Sequence, residues 1–470
     1  MLDRLAASNP WWATRGAIDQ DPHIRAWIES PIHWTPRVAM ELPLALPGIY
    51  TLRGPRQVGK TTTLKLMLRN SLADTSGEEV LYYSCDLDND PDTIRAVVEA
   101  AKAYRPKATR WRIFLDEVTS IPHWERGVKW LRDNTEARRD TFVVTGSSAV
   151  DIAAGADRLP GRRGKVERPD RILMPLSFAD FARIHGSAPP LSARPTDFLK
   201  PELQEQLRPA SLQLTTLQIL FERYLRTGGF PAAVIDEHMR GAVSDTTLGQ
   251  LWGLVESEIQ RQRLDPVRAY RAIEHVVRAL GSMTDWTGLG ETLDADRRTA
   301  EDYARVLALT FVVLILYKWD PRRGGPQLRA QRKVYFVDPL FAMLPQRLRR
   351  SDAGPEVSAL VENAVILGLF RSEEQPLAEE FALPQGLYYW KSRSGGEVNA
   401  LVGTKDRTPV EVKYREELDQ RHVAALTRSF PRGVVVTKSM IDLQNRDYPR
   451  VPAALFLWLL SGETTISSAA

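Results

Sequence analysis

The residues best suited to chemistry lie in a glycine-rich segment, GPRQVGKT, at residues 54–61. It fits the pattern G-x-x-x-x-G-K-[ST]. Glycines let a loop wrap closely around a phosphate, and the helix that follows adds the positive end of its dipole. Lys60 is therefore expected to reach the β- and γ-phosphates of a nucleotide, and Thr61 to ligate Mg²⁺. The predicted cofactor-binding residues are Gly54, Pro55, Arg56, Gln57, Val58, Gly59, Lys60, Thr61 and Thr62.

The alternative to a phosphate site is a chance glycine-rich turn. The apolar run GIYTLR stands before the motif, and the helical run TTLKLMLRN stands after it. A strand before and a helix after is the context that phosphate binding requires. The sequence therefore predicts ATP and Mg²⁺ as cofactors.

An acidic pair follows a second apolar run, RIFLDEV, at residues 112–118. At the end of a strand, Asp116 is expected to hold Mg²⁺ through water, and Glu117 to polarise the attacking water. The structural alternative is an acidic pair that caps a helix. The nucleotide motif upstream favours the catalytic interpretation.

A third apolar run, TFVVTGSS, ends in small hydroxyl residues. Such an end, next to the Asp116 strand, can position water or sense the γ-phosphate. Ser147 is the first choice for this role and Thr145 the second, with a plain turn as the alternative. An arginine-rich stretch follows, in which either an arginine finger or, preferably, a solvated basic loop is expected. Its arginines are Arg158, Arg162, Arg163, Arg168 and Arg171.

These residues need a parallel sheet to bring them together. Short β-branched runs alternate with helix-length segments up to about Gly186, a pattern typical of a parallel sheet with helices on both faces. A lead-in of about 40 residues, rich in tryptophan, precedes it. The Pro-, Ser- and Ala-rich stretch 186–202 reads as a boundary. The first predicted domain therefore covers residues 1–186.

Composition excludes several other classes of protein. The chain has 470 residues, a net charge of +4 and one cysteine, Cys85, which rules out an intrachain disulfide and a multi-cysteine zinc site. The apolar runs 306–317 and 451–460 are shorter than the roughly 20 residues that span a bilayer. No membrane contact is predicted, and a reducing, cytoplasmic location fits the cysteine usage.

The middle of the chain is mainly helical. Three helical segments, 267–280, 286–293 and a third that starts at residue 296, precede a basic hairpin at residues 317–338. This order is typical of a winged helix, although a three-helix unit can equally contact protein. Clustered cations suit phosphate contact, so DNA is a candidate partner. The cations considered are Arg297, Arg298, Arg322, Arg323, Arg329, Arg332 and Lys333.

The chain resembles a group of prokaryotic AAA-type P-loop ATPases that carry an appended domain of unknown function. The resemblance covers nearly the whole chain and rests on motifs in a fixed order. They are NPWW, GPRQVGKTT, IFLDEV, TGSS, LPGRRG, PLSFADFARI, YLRTGGFP and KVYFVDPLFA. It implies an ATPase core, a winged-helix middle at residues 203–345 and a nuclease-like end at residues 355–470. The expected fold class is thus α/β, with a P-loop sheet, a mainly α winged-helix region and an α/β C-terminal domain.

The C-terminal part looks like the PD-(D/E)xK nuclease fold. In active members, carboxylates on adjacent strands gather Mg²⁺, and a lysine positions water. Here an asparagine stands where the first strand acid is expected, so a degenerate scaffold is favoured over an active nuclease. Glu397 lies two residues earlier, on the same strand face, and could substitute. The residues of this possible degenerate site are Glu362, Glu397, Asn399, Glu411 and Lys413.

Together these observations predict an ATP-hydrolysing protein whose nucleotide state is coupled to a module that contacts DNA or protein. An ATP-regulated DNA nuclease is the first alternative. A nucleotide-gated protein-interaction module without a nucleic-acid role is the second. The sequence leaves the partner, the oligomeric state and the pathway open.

Overall fold

A computed structural model describes residues 2–146, 149–165, 168–348, 352, 354–372 and 381–460. The chain divides into two compact units, Met1–Met174 and Pro175–Ala470. The finer division into three domains stays a prediction. Within the described ranges, no helix combines the length and the apolar character needed to cross a bilayer.

The first unit is built on five strands with helices between them. Its strands are β1 (Gly48–Arg53), β2 (Val80–Ser84), β3 (Arg112–Asp116), β4 (Thr141–Thr145) and β5 (Asp170–Ile172). Its helices are α1 (Leu2–Ser8), α2 (Pro22–Ile28), α3 (Val38–Glu41), α4 (Lys60–Asp74), α5 (Thr93–Tyr104), α6 (Glu125–Asn134) and α7 (Ala149–Asp157).

The strands of the first unit form one parallel sheet in the order β2-β3-β4-β1-β5. The described residues of strands β1 to β4 are almost entirely buried, as expected for a parallel sheet covered on both faces. Strand β4 lies between β1 and β3. The nucleotide motif after β1 and the acidic pair after β3 therefore flank the end of β4.

The N-terminal lead-in protects an exposed sheet edge. Strand β2 is at the edge, and the side-chain amide of Asn9 bonds both the N–H and the carbonyl of Tyr82, at 2.6 Å and 3.0 Å. The indoles of Trp11 and Trp12 both donate to the carbonyl of Val80, at 2.9 Å and 2.8 Å. Side chains of the NPWW motif thus satisfy edge groups that would otherwise pair with another strand.

The second unit contains most of the helices and three further sheets. Its helices are α8 (Phe178–Ile184), α9 (Pro201–Ala210), α10 (Leu214–Thr227), α11 (Pro231–Arg240), α12 (Asp245–Arg261), α13 (Pro266–Arg278), α14 (Trp286–Leu293), α15 (Arg297–Leu309), α16 (Pro339–Arg347), α17 (Val357–Ser372), α18 (Ala424–Ser429) and α19 (Ala453–Leu459). Its strands are β6 (Met283–Thr284), β7 (Val313–Tyr317), β8 (Trp319–Asp320), β9 (Gly325–Pro326), β10 (Arg332–Phe336), β11 (Leu387–Lys391), β12 (Glu397–Val402), β13 (Thr408–Lys413), β14 (Val434–Thr437) and β15 (Arg450–Pro452).

The two larger sheets of this unit differ in character. Strands β6, β10 and β7 form a small antiparallel sheet, and the short ribbon β8–β9 extends the hairpin between β7 and β10. Strands β11 to β15 form a mixed sheet in chain order, antiparallel up to β13 and parallel after it. These observations confirm the predicted α/β class with a parallel ATPase-type sheet.

Two sequence motifs of the second unit meet at one buried carboxylate. Gly228 has φ +70°, and a Cβ on it would lie 1.9 Å from Oδ1 of Asp338. The N–H of Gly229 donates to Oδ2 of Asp338 at 2.7 Å. Asp338 also caps α16 by accepting from the N–H of Leu340. The motifs YLRTGGFP and KVYFVDPLFA therefore contact each other, and the glycines of the first make room for the Asp338 carboxylate of the second.

Candidate nucleotide-binding site

The loop of residues 54–61, called the nucleotide loop below, joins β1 to α4 through unusual backbone angles. Gly54 has φ +154°, and a Cβ on it would lie 2.2 Å from the carbonyl oxygen of Leu173. Gly59 has φ +96° and caps the N-terminus of α4 in the left-handed region. Any larger residue at position 54 forces the loop to move, so the glycine pattern has a steric cause.

Lys60 is held against the loop itself. Its side chain is buried, and Nζ donates to the carbonyl oxygens of Gly54 and Pro55 at 3.0 Å and 2.9 Å. An ammonium group held this way is already desolvated and lies inside the loop. Phosphate oxygens, which carry more charge, are stronger acceptors than these carbonyls.

The two residues predicted to hold the metal ion contact each other. Asp116 ends β3, is 2% exposed, and accepts a hydrogen bond from the Thr61 hydroxyl. It also accepts from the Tyr82 hydroxyl at 3.2 Å and from the N–H of Glu117 at 3.1 Å. Burial raises the pKa of Asp116, and the hydrogen bonds oppose that shift. A hydroxyl and a carboxylate are oxygen ligands of the kind that Mg²⁺ takes.

The described residues contain no group of three or more His, Cys, Asp or Glu side chains placed to hold a metal ion. Magnesium in nucleotide sites is usually held by one or two protein oxygens, substrate phosphates and water. The pair Thr61 and Asp116 fits that mode.

Glu117 stands out by its backbone. It is half-buried and has φ +53°, a left-handed conformation that is uncommon for a residue other than glycine. Such angles cluster at functional sites because the surrounding structure must enforce them. The turn directs the chain away from β3 immediately after Asp116.

The end of β4 carries a buried hydroxyl. Thr145 is fully buried and pairs in register with Leu52 of β1. It therefore lies at the carboxyl ends of the strands, as Gly54 and Asp116 do. Among the described residues its Oγ1 has no hydrogen-bond partner. Buried hydroxyl groups normally have a hydrogen-bond partner, and a ligand bound at this site could supply the partner of Thr145. Ser147, the first choice from sequence, lies outside the described residues.

Sequence reasoning missed Lys65, which lies on α4 behind the nucleotide loop. It is 4% exposed, and its Nζ lies 2.9 Å from Oδ2 of Asp21 and 3.2 Å from the centre of the Tyr82 ring. Burial lowers the pKa of Lys65, and Asp21 opposes that shift. Since Tyr82 also donates to Asp116, the buried pair packs directly behind the predicted metal ligand. The available signal was a lysine within the apolar run LKLML.

The arginine-rich stretch is tied into the first unit by ion pairs. Arg158 pairs with Glu125 at 2.8 Å, Arg162 with Asp133 at 2.7 Å, and Arg163 with Asp170 at 2.7 Å. Arg171 is buried and donates to the carbonyl of Arg168. These contacts favour a structural role for most of the cluster over a solvated loop.

The basic hairpin is less cationic at its surface than its sequence indicates. Arg322, Arg323 and Arg329 are exposed, as are Arg297 and Arg298 at the start of α15.

Phosphate contact by the last two cations of the hairpin is a prediction that the structure contradicts. Arg332 is 4% exposed and lies over the rings of Trp286 and Tyr317, and Lys333 is 1% exposed. They are neighbours on β10, so their side chains lie on opposite faces of the strand, and both faces are buried.

The five residues of the nuclease-like constellation come together around β12 and β13. The Asn399 side-chain oxygen accepts from the backbone N–H of Val412 at 2.9 Å, and the backbone N–H of Asn399 donates to the Glu411 carboxylate at 3.3 Å. Lys413 pairs with Glu411 at 2.5 Å. Glu362 of α17 and Glu397 of β12 both contact Lys333. Burial raises the pKa of Glu411, and Lys413 opposes that shift.

Residues 47–182 match the family model of the AAA domain. This part of the chain is therefore similar to AAA domains, and it has the fold of a P-loop ATPase. Residues 218–348 match a second family model, described as a domain of unknown function (DUF8612). No curated protein matches the chain significantly.

Two solved structures resemble the chain loosely over most of its length. A Walker-type ATPase of Pyrococcus abyssi is 12% identical, with a TM-score of 0.39 over 70% of this chain and 96% of that chain. The ORC1 protein of Aeropyrum pernix, solved in complex with DNA, is 16% identical, with a TM-score of 0.29 over 73% of this chain and 97% of that chain. The similarity to AAA-type ATPases is carried by the family match, the parallel sheet and the nucleotide loop.

Proposed function

We propose that this protein binds ATP with Mg²⁺ at the nucleotide loop and hydrolyses it. The observation that carries the proposal is the hydrogen bond between Thr61 and Asp116, which joins the end of the loop to the end of β3. Lys60 exchanges its carbonyl partners for β- and γ-phosphate oxygens. Thr61 and Asp116 would hold the Mg²⁺ ion, which when bound would supply positive charge to offset that of the phosphates.

Glu117 orients and polarises the attacking water in this proposal. One acid would then serve the metal ion and the next the water, and the left-handed backbone of Glu117 turns the chain immediately after Asp116. Thr145 supplies a hydroxyl to the water or to the γ-phosphate from the end of β4. Its buried Oγ1, unpartnered among the described residues, supports this role.

Two substitutions test the nucleotide site. Lys60→Ala should weaken ATP binding by roughly 10- to 100-fold, because a charge-assisted set of hydrogen bonds is lost. The exposed Lys107→Ala is the matched control and should bind as the parent does. Glu117→Gln should bind ATP with Mg²⁺ yet turn over roughly 100-fold more slowly. Unchanged turnover in that variant would remove Glu117 from its assigned role.

We further propose that the nucleotide state is coupled to DNA contact through the basic hairpin. The order α13, β6, α14, α15, β7, ribbon, β10 supports the winged-helix prediction, in which the ribbon β8–β9 would be the wing. Exposed Arg322 and Arg323 follow β8, and Arg329 follows β9. The exposed face of α15 carries Glu301 and Asp302 beside its arginines, so the hairpin is the better phosphate-binding surface.

The hairpin proposal is tested by changing Arg322, Arg323 and Arg329 together to Ala. DNA affinity should fall for all sequences, and the slope of log K against log salt should flatten by about one unit per lost contact. The control changes three exposed arginines elsewhere in the unit, Arg421, Arg428 and Arg446. Binding is measured with and without ATP in the Glu117→Gln background, which holds the triphosphate.

Absence of any salt-sensitive DNA binding would favour the other reading of the three-helix unit, a nucleotide-gated contact with a partner protein. The nuclease alternative is not favoured, because the Asn399 carbonyl is already engaged by the N–H of Val412. A cytoplasmic location remains the prediction from cysteine usage.

A further inference from the structure

A lysine of the hairpin lies between the carboxylates of the nuclease-like constellation. Lys333 of β10 is 1% exposed, and its Nζ lies 2.9 Å from Oε1 of Glu362 and 2.5 Å from Oε1 of Glu397. These acids come from different elements, α17 and β12. One ammonium group therefore joins β10 to the helix and the strand that carry the possible degenerate nuclease site.

The surroundings of Lys333 favour a cation. The Tyr335 hydroxyl donates to the same oxygen of Glu362 at 2.6 Å. Although burial by itself lowers the pKa of Lys333, Glu362 and Glu397 raise it above its ordinary value. Glu411, 2% exposed, is close enough to Glu362 for each charge to affect the other, and Lys413 pairs with it. The three carboxylates thus have two ammonium partners.

The position of Nζ conflicts with that of a bound metal ion. A magnesium ion lies about 2.0–2.1 Å from each ligand oxygen. An ion bound by both Oε1 atoms would occupy the volume that Nζ fills, and displacing the lysine would leave a buried charge without a partner. The space among Glu362, Glu397 and Glu411 is called the pocket below. Asn399 in place of an acid removes one negative charge from it, and Lys333 adds a positive charge, so both disfavour a metal cation.

We propose that Lys333 is a built-in cation that takes the place of a divalent metal ion between Glu362 and Glu397, and so closes this pocket to metal-dependent nuclease chemistry. The proposal rests on the nuclease-like arrangement of β12 and β13 and is independent of ATP hydrolysis. The pocket then serves to fasten the hairpin to the C-terminal sheet.

The test uses Mn²⁺ as the probe, with free Mn²⁺ measured by electron paramagnetic resonance on the full chain. An Asp116→Asn background removes the contribution of the nucleotide site. The parent should bind no Mn²⁺ in this pocket at millimolar concentration. Lys333→Met should bind Mn²⁺ at least about tenfold more tightly, because two carboxylates lose their counter-ion. Lys318→Met, a lysine of the same hairpin, is the control and should gain nothing.

Thermal unfolding gives a second reading. Mn²⁺ should raise the Tm of Lys333→Met and leave the parent Tm unchanged. The double variant Lys333→Met/Glu397→Gln lacks one charge of each sign. Without metal its Tm should lie above that of Lys333→Met, and Mn²⁺ should no longer raise it. A folded Lys333→Met that binds Mn²⁺ no better than the parent overturns the proposal.

If Lys333→Met does not fold, Mn²⁺ binding by the parent and by Glu397→Gln tests the proposal instead. Sub-millimolar Mn²⁺ binding by the parent that is lost in Glu397→Gln would mean that the metal site is intact and the proposal wrong. Equal, negligible binding in both would support it. ATP turnover, measured with Asp116 restored, should stay at the parent rate in the Lys333 and Glu397 variants. A failure of the ATPase proposal would therefore appear separately.

Discussion

The substitution Asp21→Asn measures how much the charge of Asp21 contributes to its ion pair with Lys65 behind the nucleotide loop. Asp21 accepts from the N–H groups of His23 and Ile24 as the N-cap of α2, and it pairs with Lys65 at 2.9 Å. Asn is as good an N-cap as Asp, so the substitution preserves the cap and removes only the charge. Lys65 is then a buried ammonium that has lost its paired carboxylate, and only the weaker attraction of Asp116 remains.

The size of the effect follows from the geometry. Two unit charges 2.9 Å apart attract by about 6 kcal/mol at an effective dielectric near 20, before desolvation is subtracted. Breaking such a buried pair on one side costs about 3–5 kcal/mol. For a unit of 174 residues this corresponds to a fall in Tm on the order of 10 °C.

A double-mutant cycle separates the pair from its parts. Lys65→Met removes the charge but keeps the chain length and a favourable contact with the Tyr82 ring, so it should cost less than Asp21→Asn. The double variant should resemble Lys65→Met, because no uncompensated charge remains. The free energy of opening is measured by hydrogen exchange of amides in α2 and α4, with thermal unfolding as the second assay. Additive effects, or an Asp21→Asn variant within about 1 kcal/mol of the parent, would refute the reasoning.

Three further predictions concern single positions. Gly54→Ala should weaken ATP binding at least about tenfold, because its Cβ would collide with a backbone carbonyl, whereas Gly16→Ala, in open space, should bind normally. Thr145→Val should lower kcat by about tenfold or more with little loss of stability, since no hydrogen bond to a described residue is broken; an unchanged kcat in ATPase assays would argue against its role. Burial raises the pKa of Asp338 to about 6 from 3.8, so its stabilising contribution is complete below pH 3.8 and is lost as pH rises through about 6. Urea midpoints at pH 4 and pH 8 should show this loss in the parent and not in Asp338→Asn, and equal changes in both proteins would contradict the assignment.

Short local motifs were sufficient to predict the nucleotide site from the sequence. A glycine-rich loop between a strand and a helix, and an acidic strand end, are short patterns whose chemistry depends on neighbours in the chain. The alternation of β-branched runs with helices then predicts a parallel sheet. A parallel sheet brings the carboxyl ends of its strands to one edge, so the meeting of Thr61 with Asp116 could be anticipated without coordinates.

Tertiary structure decided which charges are inside. Lys65 lies within an apolar run and Lys333 directly before one, and the sequence alone indicates an ordinary helix residue and a hairpin cation. Their roles depend on Asp21, Glu362 and Glu397, which are tens of residues away in the chain. Periodicity reports which face of an element is apolar, but not which distant carboxylate will pair with a buried ammonium. That pairing is a long-range property of packing, because a buried charge is tolerated only where a distant partner meets it.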